Sequence, residues 1–408
     1  LEKQMIKAST SYLFSVGLPI ACMLGLFLLN PFNLGYFFAL LVFPMLLVKK
    51  EFVSRSIDKN ILFLAMFSVI FALFYALDAD ASRGQFYIAF YSILPTTFYL
   101  LGKYLVKATK SHDHIFYVFF AIFSIYSFSA VVSVMISFLE GGFSEFNRSI
   151  PMFWTGEPMS ATIMGSYLTF NMVIPAILIA SLGRRKLPFQ VLAMAVFGIS
   201  LICAIRLGSR TQLAIFLITS FLSLIYVVPR QPAKKNVILF FLMGLAIYLV
   251  STKVSFDLNE DWLTNFADRM GKPGSDIASG GGRTERWVKS IENLYKKPLG
   301  WSVDEFGFAH NMWLDVLRAG SIISFLLLIV ISVRSFFTVR KSVSISGNSI
   351  PVKMMFIVYS LAFFLIFMVE PIFDGIFSLF MLFCLFLGAA DRYTDESQNN
   401  ITAQEDIQ

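Results

Sequence analysis

The sequence predicts an all-α, polytopic integral membrane protein with about twelve transmembrane helices and one large extramembrane loop. Three observations carry this. Charged residues are only 14% of the chain and hydrophobic residues 57%, against about 25% charged in a typical soluble domain. Apolar runs long enough to cross a hydrocarbon core of roughly 30 Å recur along the chain. Lipid offers the backbone no hydrogen-bond partners, so such runs must be helical. Finally, the breaks between runs alternate between rich in lysine and arginine and nearly free of both, as expected of loops on opposite sides of a membrane.

Taken in order, the runs place helices at 10–29, 33–48, 60–77, 85–105, 114–139, 160–182, 188–205, 211–228, 236–252, 312–338, 352–369 and 372–390. The first follows Lys3 and Lys7 in the manner of a signal peptide. It is long for that role and lacks a small-x-small cleavage site, so a spanning helix is expected. The second is short, carries Gly35 and Pro44, and is expected to be tilted, kinked or partly re-entrant. With the N-terminus inside, the inside breaks hold most of the 33 basic residues, Lys103, Lys234 and Lys235 among them. Both termini are then cytoplasmic and the polar stretch 253–311 lies outside. The expected organisation is 1–252 for helices one to nine, 253–311 for the outer loop and 312–390 for the last three helices. An acidic tail, 391–408, is expected to be disordered and cytoplasmic. No internal repeat of the kind that marks inverted-repeat transporters is evident.

Cys22, Cys203 and Cys384 each sit within an apolar run, where cysteine acts as a small hydrophobe. The net charge of +7 lies mostly in the basic loops and gives no nucleic-acid footprint.

Cations outside run against the insertion bias and need a reason. Arg206 and Arg210 stand at the outer junction of two runs, in Arg-Leu-Gly-Ser-Arg-Thr. If that junction is helical, the spacing of four puts both guanidiniums on one face, where an anion between them would relieve their repulsion. Guanidinium matches phosphate bidentately; the competing role is snorkelling to lipid headgroups. Arg283 and Arg286 form a second pair, preceded by Gly280, Gly281 and Gly282. Glycines permit close backbone approach to an anion, and also make ordinary linkers. Trp287 opens an amphipathic pattern with Ile291, Leu294 and Tyr295, expected to lie along the membrane surface. Lys289, Lys296 and Lys297 fit its solvated face.

His310 stands where the loop re-enters the membrane, one of three histidines in the chain. It can take or give a proton near neutral pH. Asn311 either orients a sugar hydroxyl or caps the next helix. Asp315 is either a second candidate base or a partner for Arg318. Asp304 and Glu305 are further carboxylates without a spacing signal. His112 and His114 fit a solvated loop better than a metal site. The outer loops hold no D-x-D pair, and the chain holds no Walker loop and no cysteine–histidine cluster, so neither nucleotide nor metal is expected as a cofactor.

The order Ser209-Arg210-Thr211, Gly282-Arg283-x-x-x-Trp287, Pro298-x-Gly300, His310-Asn311-x-x-x-Asp315 and Gly320 resembles the O-antigen polymerase and O-antigen ligase superfamily. The resemblance covers about 205–323 and the helix count. It implies a GT-C-like bacterial inner-membrane glycosyltransferase with a periplasmic active site and no cofactor. The implied donor is a glycan on undecaprenyl diphosphate. Arg210 and Arg283 would bind the diphosphate and stabilise it as it leaves, and His310 would be the general base or position the acceptor hydroxyl. By sequence proximity, Arg206 and Arg286 join the diphosphate site, while Asn311, Asp315 and Trp287 are candidates for placing the acceptor. The preferred activity is a polymerase that extends a lipid-linked repeat unit. The alternative is a ligase acting on lipid A–core, and a more distant one is a flippase for the same lipids. Implied partners are the lipid-linked oligosaccharide, a lipid acceptor, and a chain-length regulator or flippase of the same pathway.

Overall fold

The computed structural model describes residues 11–77, 84–109, 114–143, 149–181, 187–253, 282–345 and 349–405, with 255, 260 and 262. Gly280, Gly281, His112 and most of 254–281 lie outside the described residues. Among the described residues the chain is all-α apart from one short antiparallel hairpin, Ser149–Pro151 (β1) with Pro158–Ser160 (β2). Among the described residues nine helices are long and apolar enough to cross a membrane, as in a multi-pass membrane protein. Two shorter apolar helices, Leu18–Leu29 (α1) and Gly35–Leu47 (α2), match the first two expected runs in part. Pro44 lies inside α2.

The chain forms two compact units. The first comprises 1–122, 282–348 and 367–408. Besides α1 and α2 it includes Lys50–Ser56 (α3), Lys59–Leu77 (α4) and Phe86–Lys107 (α5). The second comprises 123–281 and 349–366, and is joined to the first through His114–Gly141 (α6). It continues with Ala161–Met172 (α7), Ile174–Leu178 (α8), Leu187–Arg206 (α9), Arg210–Val227 (α10) and Ala233–Lys253 (α11). The later elements are Arg283–Lys296 (α12), Met312–Ser344 (α13), Ile350–Val369 (α14), Ile372–Gly375 (α15) and Phe377–Glu405 (α16).

The first unit is built on α5 against α16. Helices in lipid gain little from apolar transfer and associate where small residues let backbones approach. Gly102 and Gly388 provide that approach reciprocally. A Cβ on Gly102 would land on the carbonyl oxygen of Leu385, and one on Gly388 would land on that of Tyr99. Beside this crossing Lys103 is buried, at 3% exposure, and pairs with Asp391 at 2.8 Å and with Asp58. The Tyr99 hydroxyl donates to Asp58 at 2.9 Å and to Asp391 at 3.1 Å. Lys103 is therefore not one of the solvated loop cations that the sequence suggests. A buried ammonium requires this kind of compensation. The same cluster fixes residue 391, where a disordered tail was expected to begin. Instead α16 runs on to Glu405 with Tyr393 and Thr394 buried.

In the second unit α9 ends at Arg206 and α10 begins at Arg210. Between them Gly208 has φ +58° and the Ser209 amide donates back to the Ala204 carbonyl at 2.9 Å. A glycine in the left-handed region closes a helix. The two arginines thus flank a turn and do not share one helical face. Arg206 is buried and donates to the Ser137 hydroxyl at 3.2 Å. Arg210 is half-buried in the first turn of α10. A cation there opposes the helix dipole, an arrangement that favours an anion nearby.

Candidate functional site

The sequence signals from 282 to 320 meet in the first unit around one short strap of backbone, 307–312. It leads from the end of the segment that follows α12 into α13. Its direction is set by Gly300, which has φ +112° and lies so close to Arg318 that a Cβ would strike the Arg318 carbonyl. The Trp301 amide donates to that carbonyl at 3.2 Å, and the Ile322 amide donates to the Pro298 carbonyl at 2.8 Å. These bonds are possible because α13 breaks at Ser321, whose φ is +72°. Segment 298–301 inserts into the gap and satisfies the backbone groups the break releases, as an interrupted spanning helix requires. Pro298, Gly300 and Gly320 therefore have scaffold roles. A Cβ on Gly320 would meet the Phe71 ring.

The strap is held from two sides. From α12, Trp287 Nε1 donates to the Ala309 carbonyl at 2.9 Å, and Arg286 Nη1 donates to the Phe308 carbonyl at 3.2 Å. From α13, the Asp315 carboxylate accepts the Ala309 amide at 2.7 Å and the Asn311 amide at 3.2 Å. Between those two amides stands His310, with φ +53°, in a region that non-glycine residues seldom occupy. Such strain persists where the surroundings enforce it, and it concentrates at functional sites. Asn311 is a cap: its Oδ1 accepts the Trp313 and Leu314 amides at 3.2 Å each.

The charges around His310 come from the opening turn of α12. Burial first, and then Arg283 and Arg286, push its imidazole down to about 4. The ring is neutral at physiological pH, and its Nδ1 is buried with no hydrogen-bond partner among the described residues. Arg283 makes one loose ion pair, 4.0 Å from the buried carboxylate of Glu370. Gly282, with φ +81°, precedes it and leaves the start of α12 without a side-chain cap. Two guanidiniums, uncapped amides and a neutral imidazole thus gather at one helix start. Such a group can hold a multiply charged anion and offer a proton acceptor beside it.

No family model matches the chain, and no curated protein shows significant similarity to it. The site must therefore be interpreted from its own residues. Arg283, Arg286, Trp287, His310, Asn311 and Asp315 are brought together. Arg206 and Arg210 belong to the second unit. Arg318, a sequence candidate for pairing with Asp315, pairs instead with Asp374 at 3.2 Å, with both side chains buried. Asp304 and Glu305 are exposed, Glu305 paired with Lys297 at 2.5 Å, so neither points to chemistry. Lys289 and Lys296 pair with Glu285 and Glu292 on the solvated side of α12. Sequence reasoning missed Glu370 and Asp374. The available signal was two carboxylates in Glu-Pro-x-x-Asp between the last two apolar runs, where ionisable residues at membrane depth carry a functional prior.

Proposed function

We propose that the protein is a bacterial inner-membrane glycosyltransferase: an O-antigen polymerase that moves a glycan from undecaprenyl diphosphate to a lipid-linked repeat unit at the periplasmic face. The observation that carries this reading is the neutral imidazole of His310 beside Arg283 and Arg286 at the start of α12. The leaving group in such a transfer is a lipid diphosphate, and its departure builds negative charge. Preorganised cations lower that barrier most effectively. Arg283, only loosely paired, takes the diphosphate. Arg286 is committed in part to the strap and adds its field. His310 accepts the proton of the attacking sugar hydroxyl. Arg210, at the start of α10, is a second anion-binding position of the same chemistry. Both termini are cytoplasmic in this reading. The deciding experiment supplies purified protein with lipid-linked repeat units and no lipid A–core. Lengthening of the glycan is the expected result. Silence until lipid A–core is added would instead identify a ligase.

The two arginines also set a pH dependence. Burial first, and the two arginines after it, depress the imidazole in the free protein to about 4, so the neutral, proton-accepting form persists far into acid. A bound diphosphate offsets the arginines' charge and lets the imidazole rise above about 4, while burial still holds it below its ordinary value near 6.5. The acid limb of kcat/KM, which reports the free enzyme, should fall near pH 4. The acid limb of kcat, which reports the bound complex, should fall at higher pH. Coincident limbs would rule out His310 as the base beside the diphosphate.

A further inference from the structure

We propose that Asp315 is a positioning residue, a backbone clamp that fixes His310 for proton transfer and is neither a base nor an acceptor-binding group. The geometry assigns both carboxylate oxygens to backbone. Oδ1 takes the Ala309 amide at 2.7 Å and Oδ2 the Asn311 amide at 3.2 Å. These are the amides of the two residues on either side of His310, and a backbone with φ +53° at that residue presents them to one acceptor group. Asp315 is 1% exposed in the first turn of α13, out of reach of a substrate hydroxyl.

The remaining strap contacts show why the clamp needs a carboxylate. Trp287 and Arg286 hold carbonyls of the strap from the α12 side. Among the described residues, Asp315 is the group that holds the amides beside His310. Asn311 is occupied with capping α13. A carboxylate accepts two amides at once, whereas a carboxamide offers one oxygen and turns an N–H toward the second amide. Without both bonds the strap can relax out of the left-handed conformation, carrying the imidazole from its place beside Arg283 and Arg286.

The role in transfer rests on the glycosyltransferase reading; the clamp itself does not, so the test has two arms. In the first, hydrogen exchange of full-length protein in detergent compares wild type with Asp315→Asn. The peptide covering 307–313 should exchange at least about tenfold faster, with the rest of the protein unchanged. Unchanged exchange there would overturn the clamp, whatever the protein does. In the second arm, glycan transfer from lipid-linked repeat units is measured for Asp315→Asn, His310→Ala and the double variant. Asp315→Asn should lower kcat with little change in KM, and the double variant should be no slower than His310→Ala. Independent, multiplying losses would overturn the positioning role. If His310→Ala transfers glycan at the wild-type rate, the functional reading fails and the exchange arm alone decides the clamp. Should Asp315→Asn fail to accumulate, Asp315→Glu, which keeps the charge but displaces it by one methylene, takes its place in both arms.

Discussion

Replacing Arg283 by alanine is expected to lower glycan transfer by about 10²- to 10³-fold, the range seen when a preorganised donor to a developing anion is removed. Among the described residues its only ion pair is the 4.0 Å approach to Glu370, and its side chain is 29% exposed. The fold therefore places little weight on it, and wild-type expression and melting are expected. Arg283→Lys should recover part of the loss, since it restores the charge without the bidentate fork. His310→Ala should cost a comparable 10²- to 10⁴-fold through loss of general-base catalysis. If Arg283→Ala slows transfer less than about threefold in protein that melts normally, the diphosphate is bound elsewhere. The control for the ion pair is Glu370→Gln. It should leave Arg283 free for the anion and weaken substrate binding little.

How much of this was legible in the sequence depends on what kind of contact each residue makes. Spanning helices follow from hydropathy, because lipid leaves the backbone no alternative. Helix α5 was expected from the run at 85–105, but the depth of its burial was not legible. Its tyrosines, threonines and lysines lower its hydropathy below that of the nine long apolar helices, and it is nonetheless among the most buried elements of the first unit. Arg283 and Arg286 were legible because they run against the charge bias expected of the 253–311 stretch, and His310 as one of three histidines in the chain, in the same stretch. Asp315 was visible as a residue and invisible as a clamp, since its partners are amides that any sequence would supply. Glu370 was hidden in the gap between the last two expected helices, and Asp374 inside the apolar run expected at 372–390, where the structure has the short helix Ile372–Gly375. At 206–210 the helical-face reading ignored Gly208, the residue whose positive φ ends α9. Gly102 and Gly388 carried no signal at all, because a glycine inside an apolar run acquires meaning only from the backbone laid against it.

Those two glycines should show the largest effect on the fold. Gly102→Val, or Gly388→Val, is expected to abolish accumulation of folded protein, and even Gly102→Ala should cost about 3 kcal/mol, the upper end for overpacking. Ordinary overpacking is absorbed by side chains that rotate aside. Here the added carbon would meet the carbonyl of Leu385 or of Tyr99. A helix carbonyl can retreat only if α5 and α16 separate. Separation would draw Lys103 away from Asp391, because Lys103 follows Gly102 directly and Asp391 lies three residues beyond Gly388. A buried lysine stripped of its carboxylates costs a further 3–5 kcal/mol, the scale of breaking a buried ion pair from one side. Against a total stability of about 5–15 kcal/mol, the two losses together, about 6–8 kcal/mol, remove about half of it or more even for alanine, and the larger valine removes more. The internal control is Gly25→Ala in α1, where an added Cβ meets nothing within 4 Å. There the gain in helix propensity, about 0.5–1 kcal/mol, should raise the melting temperature slightly. Thermal denaturation in detergent distinguishes the cases, and a Gly102→Ala protein that melts with Gly25→Ala would mean that α5 and α16 do not meet through their backbones.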